Sequence, residues 1–218
     1  VKLALFDLDG TLIDSEEGIV RSTEYALEKL GATIPPRGEL RTWIGPPLRV
    51  TFPRVLGDDA EAVERAVELY RERFTTIGWR EHTVYPGVAE AIASLVARGV
   101  RLAVVTSKPD LYAGRIVRSL PFGDAFEHVF AVAPHSAHSE KAEMIAQALG
   151  RFGVAAHETA MVGDRHFDVE GAKANAVHAV GVLWGFGSRE ELLDAGADAI
   201  AETPADLVGQ LRRPVSAA

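Results

Sequence analysis

Two carboxylates stand two residues apart in Phe6-Asp7-Leu8-Asp9-Gly10-Thr11-Leu12, directly after the apolar Leu3, Ala4 and Leu5. Side chains at i and i+2 of a strand share a face, and open α/β sheets bind ligands beyond the carboxyl ends of their strands. Asp7 and Asp9 are therefore expected to enter one cleft. Asp164 closes a second apolar run, Ala160-Met161-Val162-Gly163. With it the acids form a cluster that repels itself unless a cation sits among them. An oxygen-only set of this kind suits Mg²⁺ and phosphate chemistry. The plain alternative is an Asp-Gly turn after a hydrophobic strand.

A carboxylate that attacks phosphorus gives an acyl phosphate, which water can then split. Asp7 is the candidate nucleophile. Asp9 is placed to protonate the leaving oxygen and later to deprotonate water. Both steps require a divalent metal and cationic or hydrogen-bonding groups on the phosphoryl oxygens. Only five lysines are available: Lys2, Lys29, Lys108, Lys141 and Lys173. Lys2 and Lys29 lie far from any strand's carboxyl end. Lys141, in His138-Ser139-Glu140-Lys141, is expected at a helix start, where side chain and helix N-terminus both address an anion. Lys108 is the runner-up for the phosphate lysine. Thr106 and Ser107 end the run Leu102-Ala103-Val104-Val105. They are candidate hydroxyl donors to phosphate, with Ser107 alternatively a helix N-cap. Asp168, four residues after Asp164, either orients metal-bound water or the lysine, or is a first-turn acid that complements the helix dipole. His166 is assigned no role.

The elements needed to position these groups are legible as an alternation. Residues 2–8, 101–106, 129–132, 159–163 and 179–183 read as strands, and helical periodicity fills the stretches between the later ones, as in Ile145, Ala148, Leu149 and Phe152. That pattern predicts a doubly wound parallel sheet with helices on both faces. From 15 to 83 it breaks. Ile19, Thr23, Ala26 and Leu30 mark one helix, and Val63, Val67, Tyr70 and Phe74 mark another. Gly45-Pro46-Pro47 is read as a turn between helices. Residues 15–83 are accordingly expected to be an all-helical insertion, a cap, in a core built from 1–14 and 84–218. The second hinge is expected near Tyr85-Pro86-Gly87, before a helix over 88–98. Residues 212–218 read as a frayed tail.

The composition narrows the partners. With 31 acidic against 23 basic residues the net charge is −8, which argues against a nonspecific binder of nucleic acid or of an anionic membrane. The absence of cysteine excludes disulfides, thiolate nucleophiles and Cys-ligated metals and suits a cytoplasmic protein. Lys2 and Asp7 interrupt any apolar stretch at the start, so neither a signal peptide nor a membrane span is expected. The substrate is expected to be a small-molecule phosphomonoester. Monomer and homodimer both remain open.

The four stretches around Asp7, Thr106, Lys141 and Asp164, in this order, resemble the motifs of the haloacid dehalogenase superfamily across the whole chain. The resemblance implies a three-layer, Rossmann-like α/β core with residues 15–83 as a helical cap. It implies Mg²⁺ held by the Asp7 carboxylate, the Asp9 backbone carbonyl and Asp164. Asp9 separates this chain from the dehalogenases, which lack that acid, and Leu8-Asp9-Gly10 separates it from the transport ATPases, which carry Lys-Thr-Gly. Residues 180–188, containing Leu183-Trp184-Gly185-Phe186-Gly187, together with Ile44-Gly45-Pro46-Pro47-Leu48, look most like the phosphoglycolate phosphatase group. Two positions depart from that group. Lys141 is followed by Ala142-Glu143-Met144 instead of Pro-x-Pro, and Ala176 stands where glycine is common. The first departure bears on the substrate more than on the reaction, so a 5'-nucleotidase, a broad-specificity phosphatase and a phosphosugar mutase stand as alternatives. The cap is expected to select the leaving group through the loop around Gly45-Pro46-Pro47. Arg41 and Arg49 beside it are either partners of an acidic substrate or solvated surface residues.

Overall fold

The computed structural model describes residues 1–133 and 141–211. The tail 212–218 and the 138–140 lead-in to Lys141 lie outside the described residues. The chain divides into two compact units, one of residues 1–13 together with the chain from 84 onward, the other of residues 14–83.

The first unit is a parallel sheet. Its strands are β1 (Leu3–Phe6), β4 (Arg101–Pro109), β5 (Phe126–Val132), β6 (Thr159–Gly163), β7 (His178–Val182) and β8 (Ala199–Ala201), in the spatial order β5-β4-β1-β6-β7-β8. Every adjacent pair is parallel. From β1 the chain goes first to one side and then to the other, so the topological switch point falls at β1, between β4 and β6. The crossover helices are α6 (Val88–Val96), α7 (Asp110–Ser119), α8 (Lys141–Phe152), α9 (His166–Ala174) and α10 (Arg189–Asp194), and α11 (Pro204–Gln210) follows β8. This is the doubly wound α/β sheet expected from the alternation.

Strands covered on both faces must be apolar throughout, and β1 is fully buried along its length. Leu3 and Leu5 of β1 share one face with Ala103 and Val105 of β4 and Met161 of β6. Against them pack Met144, Ile145 and Ala148 of α8 and Val169 and Ala172 of α9. Each fully buried leucine contributes about 2 kcal/mol by removal from water. That is enough to hold the strand ends rigid while charged residues crowd just beyond them.

Several details differ from the sequence reading, among them the start of β5 at Phe126 and the short strands Ile13–Asp14 and Thr83–Val84. Pairing of β4 with β5 runs past Thr106 to Pro109 through a register irregularity, whereas the apolar run had placed the strand end at Thr106. A bulge adds residues that hydropathy cannot count. In consequence α7 starts after Pro109 without a side-chain cap, and Ser107 caps no helix. The strand β8 was not anticipated, because three residues are too few to show a period.

The second unit contains α1 (Glu16–Lys29), α2 (Arg37–Arg41), α3 (Leu48–Thr51), α4 (Pro53–Leu56) and α5 (Ala60–Thr76). Acidic Glu16 and Glu17 open α1 and Lys29 closes it, as the helix dipole favours. Asp59 caps α5 by accepting from the Ala62 N–H at 3.0 Å. The buried faces of α1 and α5 supply Val20, Ala26, Leu27, Val63, Val67 and Phe74. Gly45, at φ 110°, belongs to the turn between α2 and α3, and α3 begins after Pro47. A short two-stranded sheet pairs β2 (Ile13–Asp14) with β3 (Thr83–Val84).

Helix α9 ends with the Val177 N–H donating to Ala172 O at 2.9 Å and the Ala176 N–H to Lys173 O at 3.1 Å. This Schellman arrangement needs a left-handed residue, normally glycine, yet here Ala176 adopts φ 53°. Its exposed methyl gains nothing from burial. Ala176→Gly is expected to stabilise the protein by about 1 kcal/mol, the left-handed penalty less the extra backbone entropy of glycine. The urea midpoint of purified protein is the measurement, and a midpoint unchanged or lowered contradicts the strain.

Candidate active site

The carboxyl ends of β1, β4 and β6 lie side by side at the switch point, and each delivers polar groups. Asp7 is the first residue beyond β1, and its N–H still donates to Val162 O of β6 at 2.9 Å, so the backbone holds its position. The chain then turns at Gly10, with φ 85°. A Cβ on Gly10 would run into the Asp164 carboxylate, and one on Gly163 would run into that of Asp168. These two glycines let the acids approach. Ligand oxygens of Asp7, Asp164 and Asp168 all lie within 4.8 Å of one another, and all three residues are buried.

Lys141, the first residue of α8, lies against this cluster. Its ammonium donates to Asp7 Oδ1 at 2.7 Å and to Val105 O at 2.9 Å, and pairs with Asp168 Oδ1 at 2.7 Å. Two of the lysine's three N–H groups thus have hydrogen-bond acceptors, and the Asp168 contact is an ion pair. Asp168 also accepts from the Arg165 N–H at 3.1 Å, reaching back across the first turn of α9 as in a capping box. Asp168 is thus a first-turn acid of α9 that is also paired with Lys141. The start of α8 is tied down by Asn175, whose Nδ2 donates to Ala142 O at 2.9 Å.

Lys108, the alternative phosphate lysine, has a different partner. Its ammonium contacts both oxygens of Asp9, at 2.8 and 3.0 Å. The irregular end of β4 places Thr106 and Lys108 together, with the Lys108 N–H donating to Thr106 Oγ1 at 3.2 Å. Thr106 is buried and Ser107 half-buried beside it.

Four carboxylates thus face two ammonium groups. At an effective dielectric near 20, two carboxylates ~4.8 Å apart repel by about 3 kcal/mol, more than a typical hydrogen bond returns. Burial pushes the Asp7 carboxyl up to about 6, with Lys141 opposing and Asp168 adding to the shift. Burial likewise raises Asp164 well above the ordinary carboxylate range, helped by Asp7 and Asp168. Burial works against the charged form of Lys141, yet Asp168 and Asp7 hold it above the usual lysine value. The excess negative charge and all-oxygen donors fit a hard divalent cation such as Mg²⁺.

Several contacts were not foreseen. Asp164 accepts from the Thr11 hydroxyl at 3.3 Å and from the Phe186 N–H at 2.8 Å, and Trp184 Nε1 donates to Thr11 O at 3.0 Å. The run from Leu183 to Gly187 was visible in the sequence, but nothing local says that it folds onto Asp164. His166, given no role, joins a surface cluster in which Glu191 accepts from the Arg165 guanidinium at 2.8 Å and lies 2.7 Å from His166 Nδ1. Burial opposes ionisation of Glu191, but these donors draw its pKa down to about 2. Arg49 is paired bidentately with Glu64, and Arg41 lies 3.4 Å from Glu16. Both arginines already have carboxylate partners, so the surface reading of the pair is the one the structure favours.

A parallel α/β sheet bearing a buried acid cluster and buried ammonium groups at its switch point is chemically suited to handling phosphoryl groups. A family model described as haloacid dehalogenase-like hydrolase matches residues 4–182, and the chain belongs to this family, as one of its phosphatases. A 5'-nucleotidase of Pseudomonas aeruginosa is 42% identical over 188 residues, covering 86% of this chain and 85% of that protein. The tyrosine-protein kinase PtkA of Mycobacterium tuberculosis is 37% identical over 97% of this chain and 71% of its own length. A phosphoglycolate phosphatase of Pseudomonas putida is 30% identical over 97% of this chain and 77% of its own length. A crystal structure of a predicted phosphatase from Clostridium acetobutylicum superposes with a TM-score of 0.89 at 34% identity, covering 96% of this chain and 97% of that one. Among the described residues no helix is long and apolar enough to cross a membrane.

The raised Asp7 pKa carries a stability consequence for protein held in chelator. Between 3.8 and about 6 the folded state retains a proton that the unfolded state releases, so this group's contribution declines as pH rises through that window and stays low above it. Asp7→Asn in chelator is expected to melt above the parent protein at about pH 7.5, the gap narrowing as pH falls towards 4. Thermal melts across that range test the sign, and a variant less stable than the parent at neutral pH contradicts it.

Proposed function

We propose that Asp7 is the nucleophile, and Asp9 the general acid and base, of a Mg²⁺-dependent phosphomonoesterase acting on a small soluble metabolite. The observation that carries the assignment is the convergence of Asp7 with Asp164, Asp168 and the Lys141 ammonium in one buried cluster, with Asp9 two residues on. An Asp7 carboxylate oxygen forms a bond to phosphorus as the ester P–O bond breaks, and Asp9 gives its proton to the departing alkoxide oxygen. Asp9 then takes a proton from water as that water attacks the acyl phosphate. Inorganic phosphate leaves and Asp7 is restored.

Mg²⁺, when bound, would neutralise the charge that phosphate and the aspartates bring together. Asp7, the Asp9 backbone carbonyl and Asp164 would hold it. Lys141, Thr106 and Ser107 serve the phosphoryl oxygens, and Asp168 keeps Lys141 in position. Residues 15–83 act as a helical cap, and the site of action is the cytoplasm.

Within this reaction the substrate class has two readings. One is a phosphoglycolate-like metabolite. The other is a nucleoside 5'-monophosphate, favoured because Arg41 and Arg49, the residues nominated for an acidic substrate, are committed to Glu16 and Glu64. The similarity to the 5'-nucleotidase supports the same reading.

Purified protein with Mg²⁺ is expected to release phosphate from a panel of phosphoglycolate, nucleoside monophosphates and sugar phosphates, with one class dominating in kcat/KM. Chelator should abolish turnover, and Asp7→Asn should reduce it to background. No phosphate release from any member, or full activity in Asp7→Asn, would sink the assignment. Isomerised sugar phosphate without net release would instead indicate a mutase. Lys141→Ala is expected to lower kcat by roughly 10²–10³-fold, the scale of losing one preorganised charge-stabilising group. Near-normal kinetics in Lys141→Ala would transfer its role to Lys108.

A further inference from the structure

The turn after β7 makes no direct contribution to the chemistry proposed above, yet it is built around Asp164. Gly185 approaches so closely that a Cβ there would collide with Gly10 O and with the Asp164 side chain. A Cβ on Gly187 would collide with the Asp164 backbone carbonyl. Between these glycines the Phe186 N–H reaches Asp164 Oδ2 at 2.8 Å. The other carboxylate oxygen accepts from the Thr11 hydroxyl at 3.3 Å, and the Trp184 indole N–H holds Thr11 by its carbonyl at 3.0 Å. Each oxygen of Asp164 therefore has one protein donor and keeps lone-pair capacity for a cation. The carboxylate plane is fixed from both sides, by a turn and a loop roughly 170 residues apart in sequence.

We infer that Trp184-Gly185-Phe186-Gly187 is a positioning element, which orients the Asp164 carboxylate for metal through the Phe186 N–H and through Trp184 acting on Thr11. The inference rests on the metal-dependent reading above and extends it to residues that touch neither substrate nor metal. Groups that orient metal ligands typically influence affinity by about 10–100-fold. Here two separate devices can be removed independently. Trp184→Phe deletes the indole N–H and keeps a large ring. Gly185→Ala places a methyl where the Asp164 carboxylate lies.

The test is Mg²⁺ titration of chelator-stripped full-length protein by calorimetry, without substrate, alongside melting temperature in chelator and steady-state kinetics. Trp184→Phe is expected to weaken Mg²⁺ binding by about 10-fold and Gly185→Ala by about 100-fold. For Trp184→Phe the Mg²⁺ concentration giving half-maximal rate should rise by the same factor, while KM for the phosphate ester at saturating Mg²⁺ stays unchanged. A purely structural role would lower the melting temperature and leave Mg²⁺ affinity intact, which overturns the inference. Should Gly185→Ala fail to fold, Trp184→Phe decides alone. Parent protein that binds Mg²⁺ while both variants bind it equally well overturns the inference only. Parent protein that takes up no Mg²⁺ overturns the metal-dependent reading, and the inference with it.

Discussion

Like charges forced together out of water govern this molecule. Asp7, Asp164 and Asp168 converge within 4.8 Å in a buried space, an arrangement that costs several kcal/mol in repulsion and desolvation. Lys141 offsets part of that cost by meeting Asp7 and Asp168 simultaneously, and Lys108 does the same for Asp9. Burial, with the neighbouring carboxylates adding to it, raises the proton affinities of Asp7 and Asp164. All-oxygen donors and excess negative charge suit a hard divalent cation, and the strands beneath them are buried and apolar.

The fold answers the constraint with backbone rather than with extra side chains. Parallel strands ending side by side bring Asp7 and Asp164 together, and the apolar side chains of β1, β4 and β6 anchor those ends in a close-packed layer. Glycines then give the acids room. Gly10 and Gly163 face carboxylates that any Cβ would displace, and Gly185 and Gly187 bring a second turn onto Asp164. Such positions trade backbone entropy for close approach. Ala176, where a left-handed residue is needed but no close approach occurs, shows the cheaper compromise.

Asp7, Asp164 and Thr106 were legible because each ends or follows an apolar run, and Lys141 was nominated from among five lysines by its expected place at a helix start. The α/β alternation and the helical character of 15–83 were legible for the same reason, since periodicity reports which faces are buried. Less was visible where pairing, not hydropathy, sets the boundary. The bulged extension of β4 to Pro109 and the three-residue β8 carry no period, and Ser107 therefore lies in a strand instead of capping α7. For Arg41 and Arg49 the surface reading was preferred over a substrate contact from the sequence, and the structure adds their partners Glu16 and Glu64.

Composition and order alone determined a cysteine-free α/β chain in which Asp7 and Asp164 follow parallel apolar strands and so come together. Those are properties of residue type and of local period, and a linear chain carries both. Which lysine faces which acid was left to the tertiary structure, because Lys108 and Lys141 are equally cationic and each ends up near the same strand ends. So was the fixing of Asp164 by Thr11, Trp184 and Phe186. Contacts between segments far apart in the chain depend on register, bulges and missing Cβ atoms, and these become definite only when the strands pair.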